Sequence, residues 1–167
     1  MPYVIVILLL VGLDQLVKAL VRANIPLYES VPFIPHVLEL THVKNTGAAF
    51  SMLAEHTWLL TLVSLLAAIG LGVVLVLRLV RHPLGRWSVA VVLAGAVGNL
   101  IDRALFGEVT DMFNVLFMRF AVFNVADICV VLGGIALLIY ALKFWEADEK
   151  LRRAEKGTDH DQTGAAG

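Results

Sequence analysis

The chain has 167 residues, of which 59% are hydrophobic and 16% are charged, and its formal net charge is −1. A soluble domain of this size has too little interior to bury so much apolar surface. The charge balance also leaves no basic surface for nucleic acid. The long uncharged runs are typical of an integral membrane protein. The single cysteine, Cys129, excludes an internal disulfide and a cysteine-based zinc cluster, and its apolar surroundings indicate a packed thiol.

Four apolar runs are long enough to cross a membrane. They cover residues 3–21, 58–77, 87 to about 106, and about 124 to 144. The second run is uncharged over twenty residues. At about 1.5 Å per residue, such a helix matches a hydrocarbon core about 30 Å thick. The first run lacks the basic start and the small-residue cleavage site of a signal peptide, so we predict that it is a retained helix.

The positive charges predict the orientation of these helices. One side has the turn between runs two and three and the tail after run four, with Arg78, Arg81, Arg86, Lys143, Lys150, Arg152, Arg153 and Lys156. The other side has Arg22, Lys44, Arg103 and Arg119, with Lys18 inside the first run. This excess predicts that both termini are cytoplasmic.

This topology brings four acidic residues to the same depth. Asp14 would lie about 16 Å along the first helix and Asp102 about 22 Å along the third, both running outward. Asp127 falls in the first turn of the fourth helix, and Asp111 in the outer loop before it. A charge beside hydrocarbon costs about 2.5–3.5 kcal/mol on insertion scales. We therefore expect these acids to form one functional cluster in the outer half of the membrane.

The connections predict the rest of the fold. Residues 24–56 form a long outer insertion in which prolines break any helix and residues 37–43 alternate at the strand period. The predicted fold is an all-α membrane protein, a four-transmembrane-helix bundle with a small extracytoplasmic β-sheet between helices 1 and 2. Residues 1–147 would form this domain, and residues 148–167 a helix extension followed by a disordered cytoplasmic tail.

Polar residues cluster on the predicted third and fourth helices. Asn99, Asp102 and Arg103 are spaced i, i+3 and i+4 on one helix face, and Asn124 and Asp127 are spaced i, i+3. A purely structural role is one interpretation, with Asp102 and Arg103 as an ion pair and the asparagines joining helices. It fits Asp111 and Asp127 less well, because a single arginine lies near three carboxylates.

Four other residues have simple structural interpretations. Asp14 and Lys18, at i and i+4, are predicted to form an ion pair that holds the first helix against the others. Asn45 would cap the turn that follows it. Gly98 would allow a neighbouring helix to approach closely.

The remaining candidates for chemistry are Asp111 and Asp127. Two aspartates in one site titrate as a coupled pair, and one pKa is raised. The ionised partner can then take a proton from water while the neutral one polarises a peptide carbonyl. Spacing alone leaves two alternatives: a proton- or ion-conducting bundle, and a non-catalytic assembly factor whose polar clusters only hold helices together.

Five sequence blocks resemble the lipoprotein signal peptidase (signal peptidase II) family, in the family's order. They are Asp14-Gln15-Leu16-Val17-Lys18, Asn45-Thr46-Gly47-Ala48-Ala49-Phe50, Gly95-Ala96-Val97-Gly98-Asn99-Leu100-Ile101-Asp102-Arg103, Gly107-Glu108-Val109-Thr110-Asp111-Met112-Phe113 and Phe123-Asn124-Val125-Ala126-Asp127. The chain departs from the family's usual pattern at Thr110 and Met112, which flank Asp111.

The resemblance implies a bacterial aspartyl peptidase of the cytoplasmic membrane. Such enzymes remove signal peptides from prolipoproteins, cutting before a cysteine that carries a diacylglyceryl group. Its catalytic pair would be Asp111 and Asp127, near the outer leaflet, with a β-cradle outside the membrane. The supporting residues would be Asn45, Asn99, Asp102, Arg103 and Asn124, with Asp14 and Lys18 structural. Prolipoproteins and membrane lipid are the expected partners, with no nucleic acid, metal or cofactor.

Overall fold

The computed structural model describes residues 2–47 and 57–150. Four long helices and three strands follow in the order α1 (Pro2–Asn24), β1 (Ser30–Ile34), β2 (Leu38–Asn45), α2 (Thr57–Val76), α3 (Pro83–Phe106), β3 (Val109–Val115) and α4 (Val125–Lys143). Residues 145–150 are also helical. The predicted helix-bundle class is confirmed, and each helix end lies within four residues of its predicted position.

The helices carry their apolar side chains on the outside. All four are long and apolar enough to cross a membrane. In α1, Leu8 and Leu9 are 67% and 66% exposed, whereas Asp14 and Lys18 are 1% and 0% exposed. A helix on the surface of a water-soluble protein shows the opposite pattern. Polar groups inside and aliphatic groups outside are the arrangement expected of a bundle in lipid.

Helix α3 is at the centre of the bundle and packs against α1, α2 and most extensively α4. The close approach expected at Gly98 is present. A Cβ there would lie 2.7 Å from Asp14 Oδ2 and 3.1 Å from Ala126 Cβ. Only glycine therefore lets α1, α3 and α4 meet at this level.

The sheet lies at one end of the bundle and has the order β1-β2-β3, with both pairs antiparallel. Strands β1 and β2 come from the predicted insertion between α1 and α2. Strand β3 comes from the connection between α3 and α4, which the sequence interpretation treated as a loop. Asp111 therefore lies on a strand, paired with Val43 of β2.

Two helix ends position the acidic residues. Gly107 ends α3 with φ 72° and donates its N–H to Arg103 O, so the chain turns at once into β3. Asn124 is the N-cap of α4 and forms a reciprocal capping box with Asp127. The local fold thus fixes Asp111 two residues into a strand and Asp127 in the first turn of a helix.

Candidate active site

Asp111 and Asp127 line a single cavity of about 470 Å³. Its polar wall includes Asn45, Asn99 and Asn124, and its apolar wall includes residues 120–123 and the side chains of α4. The structure therefore brings together two aspartates that come from different elements. We call this cavity the dyad cavity.

Asp111 is the more buried of the two and is held at both oxygens. It is 2% exposed. Its Oδ2 accepts from Asn45 Nδ2 at 2.8 Å, and its Oδ1 accepts from Asn124 Nδ2 at 2.6 Å. Burial raises the pKa of the Asp111 carboxyl to about 6; the two amide hydrogen bonds act in the opposite direction, while the charge of Asp127 raises it further.

Asp127 is partly exposed to the cavity, and each of its oxygens accepts a hydrogen bond from an N–H group. Its Oδ1 accepts from Asn99 Nδ2 at 2.8 Å, and its Oδ2 accepts from the backbone N–H of Asn124 at 3.1 Å. Its place in the first turn of α4 also exposes it to the positive end of the helix dipole. Both oxygens of the second aspartate are thus fixed in position by the start of α4 and by α3.

Asn124 joins the two carboxyls and is fully buried. Its Nδ2 contacts Asp111, its Oδ1 accepts from Asp127 N at 2.9 Å, and its N–H returns to the Asp127 side chain. The same Nδ2 lies 3.1 Å from Asn99 Oδ1. One residue thus sets the position of both acids through side-chain and backbone groups.

A buried ion cluster lies behind the two asparagines. The predicted pair of Asp14 and Lys18 is present, with Lys18 Nζ 2.9 Å from Asp14 Oδ2. The same ammonium lies 3.2 Å from Asp102 Oδ2 and donates to Asn99 Oδ1 at 3.1 Å. Lys18 therefore uses its three donors on three different side chains.

The proposed ion pair between Asp102 and Arg103 is wrong. Asp102 faces α1, where its partners are Lys18 and, at 3.9 Å, Arg22 Nη1. It also accepts from the backbone N–H of Thr110 at 3.0 Å, which ties α3 to β3. Adjacent residues on a helix point about 100° apart, so Asp102 and Arg103 reach different neighbours.

Arg103 instead lines the dyad cavity. Its Nη2 donates to Gly47 O at 3.4 Å and its Nη1 to Ser64 Oγ at 3.5 Å, which are both long contacts. Its Nε is buried and has no hydrogen-bond partner in the described part of the chain. This guanidinium keeps donor capacity for a group that enters the cavity.

Asp14 and Asn45 each form a hydrogen bond that their sequence interpretations did not include. Asp14 Oδ1 accepts the N–H of Ala126 in the first turn of α4 at 2.9 Å, so it satisfies a helix-terminal donor that would otherwise be buried unpaired. Asn45 Oδ1 does cap the turn, accepting from Gly47 N at 2.9 Å. Because that oxygen is occupied, its NH₂ group is directed to Asp111.

The two departures from the family pattern have local explanations. Thr110 Oγ1 accepts from Arg22 Nη1 at 2.9 Å, so its hydroxyl is matched by a donor from α1. Met112 is fully buried and packs with Val21 and Ile25. Both residues that flank Asp111 therefore have matching partners on neighbouring elements.

Sequence analysis missed Gln15 and β3. The Gln15 Nε2 atom contacts Asp14 Oδ2, Gly98 O and Asp102 Oδ1 at 3.1, 3.1 and 3.2 Å, so it joins α1 to α3. Gln15 lies in the first of the five matched sequence blocks, but the sequence interpretation assigned it no role. The signal for β3 was its content of β-branched and aromatic residues, namely Val109, Thr110, Phe113 and Val115.

Known proteins match this chain over most of its length. A family model described as signal peptidase (SPase) II matches residues 6–143. The lipoprotein signal peptidase of Clostridioides difficile (strain 630) is 41% identical over 144 residues, covering 86% of this chain and 97% of that protein. The enzyme of Streptococcus pneumoniae (strain ATCC BAA-255 / R6) is 42% identical, covering 83% and 91%.

A solved structure shares the fold. A bacterial membrane enzyme determined by the in meso method at 2.3 Å resolution superposes with a TM-score of 0.80 at 28% identity, covering 85% of this chain and 88% of that one. Fold and relatives together define a multi-pass bacterial membrane peptidase. The chain belongs to the signal peptidase II family, the lipoprotein signal peptidases, which cleave signal peptides from prolipoproteins. The resemblance found in the five sequence blocks is confirmed.

Proposed function

We propose that this protein is an aspartyl endopeptidase that cuts prolipoproteins immediately before a diacylglyceryl-modified cysteine, with Asp111 and Asp127 as a dyad that activates water. The observation that carries the proposal is the shared cavity, in which Asp111 is buried and has a raised pKa, whereas Asp127 is partly exposed and accepts from Asn99. Two acids with such different surroundings are suited to opposite roles.

In this mechanism Asp111 begins neutral and Asp127 ionised. Water attacks the scissile carbonyl carbon while Asp127 takes its proton and Asp111 gives a proton to the carbonyl oxygen. The tetrahedral diol then breaks its C–N bond. Asp127 returns the proton to the leaving nitrogen, and Asp111 recovers one from the diol hydroxyl. The pair ends with one proton, as it began.

The other polar residues would position this pair and the substrate. Asn45, Asn99 and Asn124 hold the carboxyl oxygens through the contacts described above. Arg103 would donate to a carbonyl of the substrate backbone, since its donors are weakly used. Asp102 would act indirectly by anchoring β3 at Thr110.

We further propose that the dyad lies near the outer leaflet and that both termini are cytoplasmic. The excess of Lys and Arg at the α2–α3 turn and beyond α4 supports this orientation. A diacylglyceryl cysteine is held at the interface by its acyl chains, so its peptide bond would lie at the depth of the dyad. Confinement in lipid then supplies much of the positioning.

The test is a gel-shift assay with purified full-length enzyme and a lipidated prolipoprotein. Asp111→Asn and Asp127→Asn should each insert and purify normally but lower the cleavage rate by at least about a hundredfold. Glu146→Gln is the control, because Glu146 is exposed beyond the far end of α4. Normal cleavage by either aspartate variant overturns the dyad. Loss of abundance with unchanged specific activity would favour an assembly factor instead.

A further inference from the structure

A second cavity adjoins the dyad cavity on the side of the sheet. Its volume is about 570 Å³, and it is lined by the end of β2, by β3 and by the loop that follows β3. We call it the sheet-side cavity. It lies outside the four membrane-spanning helices, since no residue of α1 to α4 is among those that line it in the described part of the chain.

The two cavities meet at the catalytic candidate Asp111. Asp111 and Asn45 line both, and so do residues 120–122, which form a common wall. A polypeptide whose scissile bond lay at Asp111 would therefore enter one cavity on one side of that bond and the other cavity on the other side. The two cavities would therefore enclose the polypeptide continuously on both sides of a bond placed at Asp111.

The two cavities differ in the chemistry that they offer. The dyad cavity is walled on one side by Ile128, Val131 and Leu132 of α4, which suits apolar groups in lipid. The sheet-side cavity has Lys44, Asn114 and Arg119 on its wall, which suits a hydrated polar chain. A substrate with a membrane-embedded half and a soluble half matches this contrast.

One positive charge in the sheet-side cavity forms no ion pair with any of the described residues. Lys44 forms an ion pair with Glu108 at 2.7 Å, so its charge is already matched. The Asn114 amide donates to Glu39 Oε1 at 2.7 Å, and Glu39 does not line the cavity. Arg119 is exposed and forms no ion pair within the part of the chain that the structure describes.

We propose that the sheet-side cavity binds the first residues on the mature side of the scissile bond, and that Arg119 favours a segment containing Asp or Glu. This inference rests on the proposed peptidase function. It adds a second binding region, which selects among prolipoproteins by the charge of the polypeptide that follows the lipidated cysteine.

The test uses three lipidated prolipoproteins that differ only in the second to fourth residues after the cleaved bond. These residues are acidic in the first, serine in the second and lysine in the third. With wild-type enzyme, kcat/KM should fall in that order, by about fivefold for each charge-changing step, which is the size expected of a partly exposed ion pair. Added salt should reduce the ratio, because the contact is exposed.

Two Arg119 variants identify the source of the preference. Arg119→Gln should bring the three kcat/KM values together, and Arg119→Glu should reverse their order. Lys150→Glu is a matched charge reversal at an exposed site beyond α4 and should keep the wild-type order. Equal cleavage of all three substrates by wild-type enzyme, or an unchanged order in Arg119→Glu, overturns the inference.

The outcomes also separate this inference from the proposed function. If wild-type enzyme cuts the serine substrate, and Asp111→Asn does not, the peptidase function stands whatever the charge dependence. If no lipidated substrate is cut, both proposals fail together. A preference that Arg119→Gln retains would assign the selectivity to other residues and would also overturn the role of Arg119.

Discussion

Lys18 Nζ donates to Asn99 Oδ1 at 3.1 Å and so connects the buried ion cluster to the dyad. Lysine has no acceptor, so this contact obliges Asn99 to present its oxygen to Lys18 and its NH₂ group to Asp127. Lys18 thereby determines which atoms of Asn99 face the Asp127 carboxylate, although it does not line the dyad cavity itself.

Lys18→Met should therefore lower both stability and kcat. Removing the ammonium leaves Asp14 buried without a cation and Asp102 with only Arg22 at 3.9 Å, and losing one partner of a buried pair costs about 3–5 kcal/mol. Thermal unfolding in detergent measures this loss. Leu16→Met on the exposed face of the same helix is the control and should be close to wild type. A wild-type unfolding temperature for Lys18→Met would contradict the role of the cluster.

The raised pKa of Asp111 predicts how stability changes with pH. Below pH 3.8 the carboxyl is neutral in both the folded and the unfolded chain, so its favourable contribution is fully present. Between pH 3.8 and about 6 the unfolded chain releases this proton while the folded chain keeps it, so the contribution is lost progressively over this window and is gone above about pH 6. The difference between 3.8 and about 6 corresponds to about 3 kcal/mol. Unfolding of wild type and Asp111→Asn should be measured from pH 4 to 8.

Asp111→Asn has a constant cost from its altered hydrogen bonds but cannot titrate. Its stability relative to wild type should therefore increase as pH rises from about 4 to about 6 and level off above that, and a parallel pH dependence would contradict the shift. Activity gives a second measurement. Because the mechanism requires neutral Asp111, kcat/KM of the wild-type enzyme should fall about tenfold per pH unit above about pH 6.

Gly98→Ala tests the close packing at the centre of the bundle. A Cβ at this position would lie 2.7 Å from Asp14 Oδ2, so α1 or α4 must move, and we expect a loss of about 1–3 kcal/mol. Gly70→Ala is the matched control, because nothing lies within 4 Å of a Cβ there. Alanine in an open helix position should be neutral or stabilising by up to about 1 kcal/mol. Equal effects on unfolding at both positions would contradict the packing.

Tyr140→Phe should reduce stability without affecting catalysis. The buried Tyr140 hydroxyl donates to Asp148 Oδ2 at 2.7 Å, and Asp148 also accepts from the backbone N–H of Arg81. Removing the hydroxyl should cost about 1–3 kcal/mol. Tyr28→Phe is the control, since Tyr28 is 69% exposed. A fall in kcat for Tyr140→Phe would show that this end of the bundle is coupled to the dyad.

Cys129→Ala should keep full specific activity. The thiol is free and buried, as the sequence predicted, and it packs in the second turn of α4 without lining the dyad cavity. The lost volume is small, so a modest decrease in unfolding temperature is the expected result. A large loss of activity measured at equal folded protein would give the thiol a chemical role.

Hydrophobicity predicted the helices closely because chain segments in lipid must satisfy their backbone groups internally. Helical spacing also predicted the ion pair of Asp14 and Lys18, which is local in sequence. The hydrogen bond from Ala126 N to Asp14 could not be predicted from local spacing, since it joins residues 112 positions apart and depends on how α1 and α4 pack. The predicted partner of Asp102, Arg103, was wrong for the same reason, because the observed partners Lys18 and Arg22 lie on α1.

The site was predictable as a set of residues but not as a set of contacts. Motif resemblance gave Asn45, Asn99 and Asn124 as supporting residues, and all three contact a carboxyl of the dyad. No pattern indicated that Asn124 alone would contact both acids. That arrangement follows from its position as the N-cap of α4 beside β3, which is a property of the assembled fold.

Asn124 and Asp127 belong to the final membrane helix, whereas Asn45, Asn99 and Asp111 precede it in β2, α3 and β3. During synthesis, β2, α3 and β3 are therefore made before Asp127, which is the second carboxylate of the pair. A partly made or truncated polypeptide that ends before α4 has no second acid to complete the pair, so the hydrolysis proposed above would begin only once α4 has been inserted.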